Sequence, residues 1–209
     1  KLEDGELRRS IQDFCSKVGF QLDDLYVIDG SKRTTKANAY FTGLGSKKRI
    51  VLYDTLMNTL STEEIVAVLS HEIGHYKHKH TLMMLMISIL NSGVMLYLLS
   101  LALGTPEQGN VALAEALGSS YPSFHLGVIV FGILYTPVST LLSVGLNCIS
   151  RRNEYQADRF AKENGLAAPL SEALKKLSVS TLTNLNPHKA YVFFHHSHPT
   201  LIQRLRNLK

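Results

Sequence analysis

Hydrophobic positions along this chain follow different patterns in successive stretches, and each pattern predicts a different kind of element. Leu7, Ile11, Phe14 and Val18 recur at helical spacing and stop at Gly19, which predicts an amphipathic helix. Leu25 to Ile28 is a short β-forming run that ends on the turn signal Asp29-Gly30. Beyond a polar, basic loop from Ser31 to Lys36, the β-forming runs Asn38 to Phe41 and Arg49 to Tyr53 flank Gly43-Leu44-Gly45-Ser46, so a hairpin is expected there. Ser61-Thr62-Glu63-Glu64 has the form of a capping box with Ser61 as N-cap, and Ile65, Val68 and Leu69 then follow at helical spacing.

The middle of the chain is uniformly apolar. Thr81 to Leu103 and Phe124 to Ser150 contain no Asp, Glu, Lys or Arg, and both exceed the roughly 20 residues that a helix needs to cross a bilayer core. Two transmembrane helices forming a hairpin are expected, the alternative being buried helices of a large soluble core. Asn91, Gly93, His125, Pro137 and Asn147 suit a span where they face protein or a water-filled cavity. After the second run the amphipathic pattern returns. Gly165 reads as a helix stop, Ser171 to Leu182 as a helix, and Leu201, Ile202, Leu205 and Leu208 as a final helix with Pro199 in its first turn.

Charge sets the orientation of the hairpin. The net charge is +5, and Lys77, Lys79, Arg151 and Arg152 flank the apolar runs on one side, whereas Gly104 to Ser123 between them holds Glu107 and Glu115 but no Lys or Arg. The positive-inside rule therefore places both flanks on the cytoplasmic side, with membrane lipid as a partner. The absence of a basic patch interleaved with aromatic residues argues against nucleic acid. Neither run is a signal peptide, since both are internal. Cys15 and Cys148 do not form a disulfide framework. Because the chain starts at Lys1 without a methionine, it is expected to be a fragment whose missing amino-terminal part holds further spans.

Chemistry enters at Ser70-His71-Glu72-Ile73-Gly74-His75. On a helix His71 and His75 lie on one face a turn apart, so both imidazoles can reach one ion, with Glu72 beside it as a base for an attacking water. Hydrolytic zinc sites use three protein ligands and keep a position open for water. The zinc helix is expected to run on through Tyr76-Lys77-His78-Lys79-His80 straight into the first span. A membrane hairpin returns the chain to its starting side, so Asn153-Glu154-Tyr155-Gln156-Ala157-Asp158 should lie near that helix. Glu154 is the expected third ligand of one Zn2+ per chain. Asp158, four residues on, is placed to accept a hydrogen bond from the distal nitrogen of a ligating histidine. The competing reading is that both acids pair with Arg151, Arg152 or Arg159 on a solvated helix. In the tail, His195-His196-Ser197-His198-Pro199 offers His198, expected at the helix start, as a donor to a developing oxyanion, or as a capping residue. The hairpin at Asn38 to Tyr53 offers an edge to which an extended peptide can add.

Together these residues resemble the type I CAAX prenyl proteases, integral-membrane zinc endopeptidases of the gluzincin group. The resemblance rests on Asp29-Gly30-Ser31-Lys32-Arg33, Asn38-Ala39-Tyr40, Arg49 to Leu56, His71-Glu72-Ile73-Gly74-His75, Arg152 to Asp158 and Ser197-His198-Pro199. It implies zinc on His71, His75 and Glu154, Glu72 as catalytic base, and Asp158 behind the ligands. It also implies His198 and Arg204 near the site, and Asn38, Ala39 and Tyr40 on the substrate-binding edge. The implied fold is mainly α with a small β-sheet, a zincin-like metalloprotease core (1–80 and 151–209) interrupted by a transmembrane helical hairpin (81–103 and 124–150). The implied substrate is a peptide or a prenylated protein that loses its carboxy-terminal tripeptide. His196 departs from eukaryotic members, which carry a tyrosine there, and Asn186-Pro187-His188 resembles bacterial ones. The membrane is accordingly the bacterial inner membrane, or the endoplasmic reticulum and inner nuclear membrane of a eukaryote. A heat-shock-type membrane quality-control protease shares the same catalytic residues, and a non-catalytic scaffold holding structural zinc is the alternative outside enzymes.

Overall fold

The computed structural model describes residues 1–32, 34, 38–42, 48–105 and 109–209. In chain order the elements are α1 (Glu6–Lys17), β1 (Leu22–Ile28), β2 (Ala39–Thr42), β3 (Lys48–Tyr53), α2 (Asp54–Thr59), α3 (Thr62–Lys77), α4 (His80–Leu103), α5 (Val111–Ala116), α6 (Phe124–Glu163), α7 (Ala167–Ser180), α8 (Lys189–His195) and α9 (Leu201–Leu208). The chain is thus mainly helical with one small sheet. Arg33, Thr35 and Lys36 of the loop from Ser31 to Lys36, the turn Gly43-Leu44-Gly45-Ser46 and Glu107 lie outside the described residues.

The sheet has the order β1-β3-β2. β2 and β3 are antiparallel, as a hairpin requires, with Ala39 opposite Leu52 and Thr42 opposite Arg49. β1 joins the other side of β3 in parallel, Leu25 opposite Ile50. Alternation along β3 turns Ile50 and Leu52 inward with Leu25, and all three are fully buried. α1 covers them with Ile11, Phe14 and Cys15, and α3 does so with Ile65, Leu69 and Ile73, spaced four apart on one face. Burial pushes the Cys15 thiol up to about 11, so it behaves as a small apolar core residue. β2 is left as an edge strand.

α3 is buried on its opposite face as well. Ala67 joins Ala161 of α6, Leu170 of α7 and Leu208 of α9 in a second cluster. The capping box that starts α3 is present, with Ser61 Oγ accepting from Glu64 N at 3.3 Å and Glu64 Oε2 accepting from Ser61 N at 2.8 Å. Lys176 of α7 donates to the same carboxylate at 2.7 Å and ties the helix start to the second cluster.

Several boundaries differ from those the pattern predicts. α3 does not continue into the first apolar run: it ends at Lys77, Lys79 takes the left-handed conformation (φ 56°), and α4 begins at His80. α6 runs unbroken through 150–151, so the second apolar run and the segment carrying Glu154 form one 40-residue helix, closed by Gly165 in the left-handed region. α7 starts and stops earlier than 171–182, because Leu182 is left-handed and almost fully exposed. Pro199 precedes the last helix instead of opening it, since Thr200 is the N-cap and forms its own capping box with Gln203.

α4 and α6 are each long and apolar enough to cross a membrane, and among the described residues they leave those surfaces open. They pack against each other at the α4 end, where a Cβ on Gly127 would come within 2.8 Å of Leu103 Cδ2. The hydroxyls of Thr136, Ser139, Thr140 and Ser143 bond back to carbonyls one turn earlier, at 2.8–2.9 Å, so these polar groups need no outside partner.

The contact that positions the site lies between α3 and α6. A Cβ on Gly74 would meet Ala157 Cα at 3.0 Å and Phe160 Cβ at 3.1 Å, tighter than nearly all real Cβ contacts, so the glycine lets the helices approach closely. Gly74→Ala should therefore force the helices apart and cost ~1–3 kcal/mol, lowering the thermal midpoint. Gly145→Ala, with nothing within 4 Å of the added carbon, is the control and should leave the midpoint nearly unchanged. Equal midpoints for the two variants would contradict the close approach.

Candidate active site

Three parts of the chain converge beneath that contact. α3 supplies His71, Glu72 and His75, α6 supplies Glu154, Gln156 and Asp158, and the carboxy-terminal segment supplies His198 and, from α9, Arg204. The four-residue spacing puts both imidazoles on one face of α3, with their Nε2 atoms 3.2 Å apart. The Glu154 carboxylate closes the triangle: Oε2 is 3.5 Å from His71 Nε2 and Oε1 is 3.3 Å from His75 Nε2. The three ligand atoms all lie within 4.8 Å of one another.

Each remaining nitrogen of the two rings is turned outward to a partner. His71 Nδ1 lies 2.9 Å from Asp158 Oδ1, which can only accept from it, so the proton belongs on Nδ1 and the lone pair on Nε2. His75 Nδ1 lies 3.0 Å from His80 Nδ1. Glu154 Oε2 is buried and has no hydrogen bond among the described residues. Lone pairs facing each other across about 3.3 Å repel unless a cation sits between them. Tetrahedral zinc with ligands at about 2.0–2.1 Å separates them by about 3.3–3.4 Å, close to the spacing observed. The donor set fits a metal ion.

Behind the ligands, Asp158 is fully buried and held by Arg204, whose Nε is 3.0 Å from Oδ2 and whose Nη2 bonds Oδ1. Arg204 Nη1 is also 3.5 Å from Glu154 Oε2, so one cation faces two buried carboxylates. Burial alone raises the pKa of Glu154, but the imidazoles of His198, His71 and His75 facing its oxygens outweigh it and hold the carboxyl well below its usual range. Burial likewise opposes ionisation of Asp158, and the bonds from His71 and Arg204 prevail, lowering its pKa. For His71 burial disfavours the cation, yet Asp158 and Glu154 together raise its pKa. The field that favours a proton on His71 equally favours a metal ion at the same place.

A cavity of about 190 Å³ opens beside the ligands. It is lined by Asn38, Ala39, His71, Glu72, Glu154, His198 and Arg204 together with the apolar Leu56, Val68, Leu170, Leu174 and Leu177. Glu72 therefore sits in the cavity without joining the ligand triangle. His198 donates from Nδ1 to Glu154 Oε1 at 3.1 Å while most of its ring stays exposed, and that carboxylate raises its pKa. It lies two residues before the N-cap of α9, so it is not at the helix start as the sequence suggested. Of the expected substrate edge, Asn38 and Ala39 line the cavity. Tyr40 does not: strand alternation turns Ala39 and Phe41 toward the core and Tyr40 to the other face, its ring centroid 6.2 Å from that of Tyr53. His80 and Gln156 carried no signal in the sequence. In the continuous helix expected there, a histidine five residues after His75 points about 140° away from it.

Comparison with known proteins identifies the family. A profile of Peptidase family M48 matches residues 1–209. The chain belongs to peptidase family M48. Among its M48 relatives, CAAX prenyl protease 1 of Saccharomyces cerevisiae is 41% identical over 219 residues, covering 99% of this chain and 48% of the yeast protein. The CAAX prenyl protease 1 homolog of Homo sapiens is 34% identical over 247 residues, covering 100% of this chain and 51% of the human protein. The crystal structure of Ste24p from S. mikatae superposes with a TM-score of 0.87 at 39% identity, covering 100% of this chain and 51% of that one. The M48 chain thus spans about half the length of these relatives.

Two outcomes test the M48 site. Glu154→Ala should abolish metal retention, measured as metal per chain after purification, because two neutral imidazoles remain to hold a dication. Arg204→Leu should destabilise the fold by ~3–5 kcal/mol, since it strands a buried carboxylate, and adding Asp158→Asn should recover part of that loss in a thermal melt.

Proposed function

We propose that this chain forms the catalytic half of an integral-membrane zinc endopeptidase that removes the carboxy-terminal tripeptide from prenylated proteins. The convergence of His71, His75 and Glu154, with Glu72 in the adjoining cavity, carries the reading. When bound, zinc acts as a Lewis acid that polarises the scissile carbonyl and acidifies water.

The chain's own residues do the rest. Glu72 takes a proton from the attacking water and returns it to the leaving amine. His198, held by Glu154, whose carboxylate favours its protonated form, lines the cavity and donates to the oxyanion that develops on the substrate. Arg204 and Asp158 fix His71 and offset the negative charge around the ligands. The exposed edge of β2 next to Asn38 and Ala39 takes an extended peptide by main-chain hydrogen bonds, which accepts many sequences. The leucines in the cavity lining favour apolar side chains.

The membrane assignment is supported by the open apolar faces of α4 and α6. Large residues such as Leu85, Leu90, Ile133, Leu134 and Leu141 stand exposed along both helices, a surface that water does not tolerate and hydrocarbon does. Basic residues at the α3 end and at Arg151-Arg152 support a site on the cytoplasmic side. The substrate class is supported by the relatives named CAAX prenyl protease 1.

The test is cleavage of a farnesylated CAAX peptide by the detergent-solubilised protein. Glu72→Gln should lower turnover by roughly 10²–10⁴-fold while zinc stays bound. Normal turnover in that variant would remove Glu72 from the reaction. Cleavage of unfolded membrane proteins with none of the farnesylated peptide would replace the prenyl-protein reading with a quality-control one.

A further inference from the structure

His80 is buried at the α3–α4 junction, and both of its ring nitrogens are engaged. Nδ1 lies 3.0 Å from Nδ1 of the ligand His75, and Nε2 lies 2.8 Å from Oε1 of Gln156 on α6. The left-handed turn at Lys79 makes this possible. It interrupts the helix just before His80, so a side chain that a continuous helix would carry to the far side folds back onto His75.

With His75 Nε2 turned to a metal ion, proton bookkeeping along this row leaves a single arrangement. His75 offers Nε2 toward His71 and Glu154, so its neutral ring carries the proton on Nδ1 and donates it to His80. His80 Nδ1 must then be the acceptor, and its own proton lies on Nε2, donated to the Gln156 carbonyl oxygen. Reversing any member sets two N–H groups against each other between the rings or turns an N–H toward the ligand cluster. With its carbonyl oxygen turned to His80, Gln156 thus supports the His80 tautomer that in turn accepts from His75.

We propose that His80 and Gln156 are positioning residues for the metal ligand His75, forming a neutral relay that fixes its tautomer and ring angle. The relay does with uncharged groups what Asp158 and Arg204 do for His71 with an ion pair. A carboxylate behind each imidazole would push more electron density onto the ion. One neutral partner leaves it a stronger Lewis acid while still fixing geometry. Gln156 lies two residues from Glu154, so the relay also couples the second imidazole to the helix that supplies the acidic ligand.

This inference rests on the metallopeptidase reading of the site, and titration of the metal-free protein with zinc alone against a chromophoric chelator separates the two. Stoichiometric binding by the unaltered protein tests the site; the variants test the relay. His80→Leu and Gln156→Leu should weaken zinc binding by roughly 10–100-fold, and at saturating zinc they should lower kcat with little change in KM. His80→Asn puts an oxygen acceptor where Nδ1 was, and Gln156→Glu keeps the acceptor at the far end. Both should bind zinc within about threefold of the unaltered protein, since the acceptor is what the relay requires. A merely structural role would instead lower the melting temperature of the metal-free leucine variants while leaving zinc affinity in place. Unchanged affinity in both leucine variants overturns the relay, as does an Asn variant as weak as the Leu one. If His80→Leu does not fold, Gln156→Leu decides alone.

Discussion

Everything in this molecule that concerns chemistry depends on how closely α6 can approach α3. The two helices meet at Gly74 and Ala157, where an added methyl group would press on backbone at 3.0 Å. That approach carries Glu154 to within 3.5 Å of His71 Nε2 and 3.3 Å of His75 Nε2. Gly74 thus serves the site for a packing reason: the two histidines present lone pairs, and the glycine between them admits the helix that brings Glu154 to them. The cores on either side of α3, one against the sheet and one against α6, α7 and α9, hold the helix from both faces and keep that approach rigid.

The electrostatics follow from the burial this packing imposes. Glu154 and Asp158 are carboxylates with little access to water, and such groups ionise only where positive charge or donors surround them. Arg204 provides part of this, reaching both acids from α9. The rest is left to the imidazoles and to whatever cation stands among them. A site so balanced prefers a dication to a single proton, because one proton on His71 cannot satisfy the buried Oε2 of Glu154 as well. The final helix is short, yet it supplies the guanidinium without which two buried charges would face each other.

What the sequence makes legible here is local or follows from chain topology. The capping box at Ser61, the helix stops at Gly19 and Gly165, and the hairpin pairing of β2 with β3 each depend on a few neighbouring residues, and they stand in the structure as expected. Glu154 lies far from His71 in sequence, but two long apolar runs between them imply a chain that turns back, and the structure brings the two together. The parallel partnership of β1 and β3 is non-local and leaves no periodic trace. α2, α5 and α8 are too short for a period to show. The turn at Lys79 was invisible for a sharper reason. A left-handed residue is ordinarily announced by glycine or asparagine, and here a lysine adopts it, held by the packing of His80 beneath α6. The same hidden turn concealed the partner of His75, since a continuous helix would have sent His80 elsewhere.

The central claim is that two imidazoles and one carboxylate, drawn together across the α3–α6 contact, hold a zinc ion. X-ray absorption at the zinc edge of the purified protein tests this directly. The account predicts a first coordination sphere of nitrogen and oxygen at about 2.0–2.1 Å with the scattering signature of two imidazoles and no sulfur. A spectrum showing one imidazole, or showing sulfur near 2.3 Å, would contradict it.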